Sequence, residues 1–272
     1  MKPFVKWAGG KTQLLDEINK RLPPSYNRYF EPFLGGGAVL LNLQPQKAFV
    51  NDINAELLNT YNQIKNNPDD FIHKMNEIDK INTDKVFYYK NRDRYNQKIT
   101  NQEYDLEMAI LFVWINKHCF NGLYRVNKKG LFNVPYNQKD IKSSIDEDNI
   151  RKVSQYLNTN RVFINNIDFE VFLDSVATND FVFVDSPYIP ESDTSNFVDY
   201  SKTGFSEKDH QRLAKKLHDL SNKGVFWMLT NNDVPQIYDL YDDYNIESVS
   251  VRRNINSKGS KRSGQEVIIR NY

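Results

Sequence analysis

Phe30-Glu31-Pro32-Phe33-Leu34-Gly35-Gly36-Gly37 sets the reading of this chain, because it places three glycines between an extended apolar run and the start of a helix. Residues 28–33 are expected to form a short strand, 34–37 a turn and 38–43 the start of a helix, with a second strand at 47–52. Glycine has no Cβ, so the backbone there can pass close to a ligand, and the helix N-terminus offers unpaired N–H groups to an anion. The dinucleotide pattern G-x-G-x-x-G is absent. Asp52 closes the next strand, 17 positions after Gly35, where a carboxylate can accept hydrogen bonds from ribose hydroxyls. Turn and acid together point to a nucleoside; a tight turn followed by a helix-capping Asp is the plainer alternative.

Working outward, residues 54–117 change to helical periodicity, with Leu106, Ala109, Ile110, Val113 and Trp114 spaced for one buried face. Residues 122–136, rich in Asn, Lys and Gly, read as a hairpin or ordered loop. Strand-like runs return at 162–165, 181–185, 225–230, 246–251 and 266–270, with a helix expected over 207–223. Phe181 to Val184 is unbroken apolar sequence, as a central strand covered on both faces requires. The expected organisation is therefore an α/β catalytic part, residues 1–53 and 161–272, split by an inserted part, 54–160, made of helices and a hairpin.

Composition narrows the class. With 39% apolar and 26% charged residues over 272 positions and no run of about 18 apolar residues, membrane insertion is not expected. Met1 to Lys11 puts charge and glycine where a secretory signal needs continuous apolar sequence, so no export segment is expected. The single cysteine, Cys119, allows no internal disulfide and suits a reducing cytoplasm; its expected place is a buried apolar site. His73, His118, His210 and His218 lack the spacing with Cys or paired acids that a metal needs, and surface or packing roles are expected. Phe87, Tyr88 and Tyr89 are expected in the core of the inserted part.

A net charge of +1 carries no global signature of nucleic-acid binding, but the charge is segregated. Lys117, Arg125, Lys128, Lys129, Lys139 and Lys142 lie together with Asp140 as the one acid among them. A second run, Arg252, Arg253, Lys258, Lys261 and Arg262, has none. Such runs can line a phosphate-binding cleft, or they can be solvated loops.

Two further segments carry chemistry. Asp185-Ser186-Pro187-Tyr188 follows the buried strand, at the end where open α/β sheets bind ligands. The carboxylate and the Ser186 carbonyl can accept the two protons of an exocyclic amine while Tyr188 stacks on the ring that bears it. Two such acceptors favour pyramidal nitrogen and aim its lone pair at an electrophilic methyl; a turn in which Asp185 caps a neighbouring segment is the alternative. In Lys6-Trp7-Ala8-Gly9-Gly10-Lys11, Trp7 can stack on adenosine, Lys11 can reach a methionyl carboxylate and Lys6 a guanine edge or phosphate, unless the segment only anchors the N-terminus.

Taken in order, KWAGGK (Lys6 to Lys11), FEPFLGGG (Phe30 to Gly37), NDIN (Asn51 to Asn54), NGLYRVN (Asn121 to Asn127), FNVPY (Phe132 to Tyr136) and DSPY (Asp185 to Tyr188) resemble the Dam-type, alpha-group family of DNA adenine-N6 methyltransferases. The resemblance spans the chain. It implies a seven-stranded Rossmann-like methyltransferase sheet, S-adenosylmethionine as methyl donor and a flipped adenine in double-stranded DNA as acceptor, within GATC in the nearest pattern. It implies that Trp7, Lys11, Phe33, Gly35, Gly37, Asp52 and Asp185 border the cofactor, with Asp168 and Phe169 against its adenine. Asp185, Ser186, Pro187 and Tyr188 would form the catalytic loop. Lys6, Asn121, Arg125, Asn127 and Asn133 would read bases, and Arg92, Arg94, Lys128 and Lys129 would meet phosphates. A restriction endonuclease acting on the same site would be a cellular counterpart.

The family motif is Asp-Pro-Pro-Tyr, whereas Ser186 stands here at the second position. The acceptor it would supply is a backbone carbonyl, which serine retains, but loop rigidity changes because serine frees φ and adds an N–H. Two competing readings follow: an amino-methyltransferase acting on RNA or a protein glutamine, and a DNA-binding sensor that has lost catalysis. The long interruption between Asp52 and Asp185 argues against the first, and retention of Trp7, Asp185 and Tyr188 against the second.

Overall fold

The structure is a computed structural model and describes residues 1–81, 83–190, 204–252 and 263–272. A 3-10 turn, Lys11–Gln13, leads into α1 (Leu15–Lys20), β1 (Tyr29–Glu31), α2 (Ala38–Leu43) and β2 (Lys47–Asn51). Five helices follow before the next strand: α3 (Ala55–Asn66), α4 (Pro68–Asp79), α5 (Lys85–Asn101), α6 (Leu106–His118) and, after a 3-10 turn at Phe120–Gly122, α7 (Glu147–Thr159). The chain then returns through β3 (Arg161–Asn165), α8 (Phe169–Leu173), β4 (Phe181–Val184), α9 (Glu207–Asn222), β5 (Phe226–Asn232), α10 (Pro235–Leu240), β6 (Asn245–Arg252) and β7 (Ser263–Arg270).

The seven strands form one sheet in the order β3-β2-β1-β4-β5-β7-β6, parallel except for β7, which runs antiparallel between β5 and β6. The order reverses between β1 and β4, whose register pairs Tyr29 with Phe181 and Phe30 with Val182. That reversal opens a crevice at the carboxyl ends of the two strands, so the loops after Glu31 and after Val184 must emerge side by side.

Strand alternation sorts the core into two layers. Tyr29, Phe181, Phe183, Met228 and Ile268 point to one face, Phe30, Val182, Val184, Trp227 and Leu229 to the other. The second face is closed by α8, α9 and α10 through Phe172, Leu213, Leu217 and Ile237. The first face continues without a break into Leu57, Tyr61, Phe71, Tyr88, Val113 and Ile115, so the helices between β2 and β3 share the core of the sheet.

Strand existence follows the sequence reading, while the ends move for local reasons. β1 stops at Glu31 because Pro32 has no N–H to donate, and β2 and β4 stop one residue before Asp52 and Asp185, leaving both acids just past the strand ends. The expected single buried face of α6 is corrected: every residue from Met108 to Asn116 is buried, because α3, α4 and α5 all pack around this helix. Residues 122–136 form an ordered loop held by isolated bridges, Val126 to Phe132 and Cys119 to Tyr136. Cys119 and Tyr88 are buried as expected. Among the described residues no helix is long and apolar enough to cross a membrane. Residues 253–262 of the second basic run lie outside the described residues.

Because one apolar cluster joins sheet and helical block, Ile115→Ala should lower the stability of the whole chain by about 2–5 kcal/mol. Far-ultraviolet circular dichroism and tryptophan fluorescence should report one shared, shifted denaturation transition; two separate transitions would show independent cores.

Candidate active site

The glycine turn is fixed by what surrounds it. Gly35 N–H donates to Asp52 Oδ2 at 2.8 Å, and Asn54 N–H to Oδ1 at 2.9 Å. Burial pushes the Asp52 carboxyl above its ordinary value, opposed by backbone N–H groups of Asn54, Gly35 and Ile53. Gly35 has φ +50°, and a Cβ there would lie 2.8 Å from Trp7 Cδ1; at Gly37 a Cβ would strike the Tyr61 hydroxyl. The room left by these glycines is thus taken by Trp7 and Tyr61, which sets how close the turn lies to the N-terminal segment.

Trp7 in turn stacks on Tyr124, with ring centroids 5.2 Å apart. Beyond it the chain bends at Gly9 and Gly10 so that Lys11, only 4% exposed, reaches the loop that opens at Asp185. Lys11 Nζ lies 2.7 Å from Asp185 Oδ1 and 4.7 Å from the centroid of the Tyr188 ring, and donates to the Gly9 carbonyl. Thr230 Oγ1 also donates to Asp185 Oδ1, at 3.0 Å. Burial pushes the Asp185 carboxyl up, while Lys11 and Thr230 pull it back. Ser186 is buried, 2% exposed, and its hydroxyl has no hydrogen-bond partner among the described residues.

On the other side of the glycine turn, Phe33 lies against Phe169 with centroids 5.4 Å apart, and Phe205 closes on both. Asp168 caps α8 through Glu170 N–H and pairs with Arg212 at 2.8 Å, while the Arg212 guanidinium covers the Phe169 ring. Trp7, Lys11, Phe33, Gly35, Gly37, Asp52, Asp168, Phe169 and Asp185 therefore lie around one end of the sheet, joined by direct contacts or through Asn51, whose side chain bonds Pro32 O, Ile167 O and Ile167 N–H.

The basic segment forms a second surface. Asn116 clasps Lys6 by its backbone N–H and carbonyl, and the Lys6 stem lies against Gly122, beside exposed Asn121. At the loop tip Asn127 Oδ1 accepts from Lys129 and Leu131 N–H, leaving Lys128 and Lys129 exposed. Arg125 Nε donates to Asn133 Oδ1 at 2.8 Å. Tyr88 and Asn96 of α5 bond the loop at Val134 O and Phe132, and Arg92 lies on the same helical stripe. Arg94 does not: it points to α6, where Glu107 takes its guanidinium in a two-toothed pair. Arg92 joins the loop surface and Arg94 is already neutralised elsewhere.

Residues 7–255 match the family model described as D12 class N6 adenine-specific DNA methyltransferase. The chain belongs to that family. It is 41% identical to the type II methyltransferase M1.LlaDCHI of Lactococcus lactis subsp. cremoris over 100% of this chain and 96% of that one. It is 40% identical to the type II methyltransferase M.MjaIII of Methanocaldococcus jannaschii, over 100% and 99%. The DNA adenine methylase of Escherichia coli K12 is 30% identical over 100% of this chain and 95% of its own. The sheet accordingly is that of a Rossmann-like methyltransferase.

The candidate site holds residues to which sequence reading assigned no individual role. Ile53, 64% exposed between the pinned Asp52 and Asn54, is an apolar surface at the site edge; it and Asn51 showed only as members of the NDIN motif, while Phe205 and Arg212 join through pairings too distant in sequence to show as a motif. Glu31 was legible only as part of the glycine motif. It is 2% exposed, receives the Tyr29 hydroxyl at 2.7 Å, and burial pushes its carboxyl to about 8, with Asp185 and Asp52 adding to the rise.

The sign of the resulting pH dependence is fixed. The folded value lies above the ordinary 4.5, so this carboxyl contributes fully below about 4.5 and the contribution is lost as pH rises to about 8. Glu31→Gln should flatten the fall in thermal midpoint across that interval; a wild-type and variant difference that does not change with pH would contradict it.

Proposed function

We propose that this methyltransferase moves a methyl group from S-adenosylmethionine to N6 of an adenine turned out of duplex DNA, with residues 54–160 reading a short site, GATC by family resemblance. The observation that carries the reading is that Asp185 and Tyr188 follow β4 while the glycine turn and Asp52 follow the adjacent β1 and β2, with the N-terminal segment spanning both through Trp7 against Gly35 and Lys11 on Asp185. The donor supplies an electrophilic sulfonium methyl. The residues fit such a group: Asp52 for ribose hydroxyls, the apolar wall of Phe33, Phe169 and Ile53 for a planar base, Asp168 at that wall for a base amine, Trp7 with the turn at Gly35 and Gly37 as floor, and Lys11 for a carboxylate.

Lys11 and Thr230 both bond Asp185 Oδ1, so the target amine falls to Oδ2, with the Ser186 carbonyl as second acceptor and Pro187 holding the turn. Tyr188 provides the ring that replaces the lost stacking partner, offsetting part of the few kcal/mol that extrusion costs. A carboxylate pushed up by burial is also better placed to take the proton that the nitrogen sheds after transfer. No side chain here needs a metal for these steps.

For DNA, Lys6, Asn121, Arg125, Asn127 and Asn133 are proposed to meet base edges, and Arg92, Lys128 and Lys129 phosphates. Phe120, 52% exposed beside Asn121, offers apolar surface suited to wedging between base steps. A restriction endonuclease acting on the same site is the proposed counterpart in the cell, since two relatives carry type II names.

Sequencing that detects modified adenine in DNA from expressing cells should show one methylated motif, lost in Asp185→Ala. Label found in RNA or protein, or none in DNA, would reject the reading. Removing the unpaired Ser186 hydroxyl should cost nothing, so Ser186→Pro should change turnover by less than about tenfold, equivalent to roughly 1.4 kcal/mol in the barrier.

A further inference from the structure

Tyr188 is held at both ends. Its ring lies under the Lys11 ammonium, and its hydroxyl donates to Glu266 Oε2 at 2.7 Å. A phenylalanine ring could stack with no partner at its far end; the hydroxyl bond fixes where that end of the Tyr188 ring sits against its side-chain torsions and, because a phenolic O–H lies in the ring plane, favours one plane. Glu266 sits on β7, facing Asn232 of β5 and Val249 of β6 in the ladder. The acceptor is therefore mounted on a strand paired on both sides and does not move with the loop.

The same end of β5 grips the rest of the loop. Thr230 holds Asp185, Asn231 Oδ1 accepts from Ile189 N–H at 2.9 Å, and Asn232 Nδ2 donates to Ile189 O at 2.8 Å. Burial, with Asp185 and Glu266 nearby, raises the Tyr188 hydroxyl well above its ordinary value, so it stays a donor. A carboxylate can only accept, which leaves one direction for this bond.

We propose that Glu266 is a positioning residue for methyl transfer, fixing through the Tyr188 hydroxyl the plane of the ring against which the target base is held. It rests on the reading of Tyr188 as the stacking partner given above. Glu266 acts through Tyr188 and has no contact with base or donor in this role.

The test uses the full chain and steady-state methylation of a duplex containing the site. Glu266→Ala should lower kcat by on the order of 10- to 100-fold, the scale of a misplaced reacting group, with the dissociation constant for S-adenosylmethionine unchanged. Glu266→Gln, whose amide oxygen still accepts, should recover most of that loss. In a Tyr188→Phe background Glu266→Ala should add nothing. Equal losses in both backgrounds, or a loss that glutamine does not recover, would overturn the inference. Full activity of Tyr188→Ala would overturn the stacking reading itself, whereas an inactive Tyr188→Ala beside an unaffected Glu266→Ala would overturn the role of Glu266 alone.

Discussion

A buried ammonium needs a negative partner, and here Lys11 finds Asp185 at 2.7 Å. Much of the site follows from that pair. To deliver Lys11 to the end of β4, the N-terminal segment has to cross the glycine turn, which it does by seating Trp7 where side chains at Gly35 and Gly36 would be. Removing one member would strand the other at a cost of about 3–5 kcal/mol, more than most single contacts in the chain contribute. The pair also orders the loop chemically, since it occupies one carboxylate oxygen and directs a second ligand to the other.

The parallel strands were legible because a strand covered on both faces must be apolar without interruption, as Phe181 to Val184 is, and an acid just past such a strand can only face the crevice. Asp52 and Asp185 carry that signal in their neighbours. Glu266 carries none: it meets Tyr188 from 78 positions away, and residues 266–270 read only as one more strand-like run, with nothing to say which strands flank it. Arg212 is similar, 44 positions from Asp168, and Asn51 showed in its motif without any sign of its bond to Ile167, 116 positions on. Such pairings depend on strand order, which local periodicity does not encode. Periodicity failed for α6 for the opposite reason: three helices around it leave no polar face to mark its orientation.

The fusion of the helical block with the sheet has a mechanical consequence. Tyr124 sits in the basic loop yet stacks on Trp7, which touches Gly35, and Asn116 of α6 holds Lys6 four residues before Gly10. Loop, N-terminal segment and glycine turn are thus one packed unit, with few torsions free between the surface proposed for DNA and the crevice. A base entering the crevice would meet walls already set by the loop proposed to read its neighbours, so that positioning energy would be spent before the reaction and not during it.

Three carboxyls, Glu31, Asp52 and Asp185, crowd the carboxyl ends of adjacent strands, and three buried negative charges would repel. The structure resolves this unequally. Asp185 has Lys11 and Asp52 has three backbone N–H groups, whereas Glu31 has chiefly the Tyr29 phenol, so the proton settles on Glu31. A neutral acid at the base of the turn removes one of the three charges that would otherwise repel where a ribose and an amine would be bound. It also explains why a glutamate can stand buried at the end of an otherwise apolar strand: burial favours its neutral form, which serves there as a hydrogen-bonding spacer.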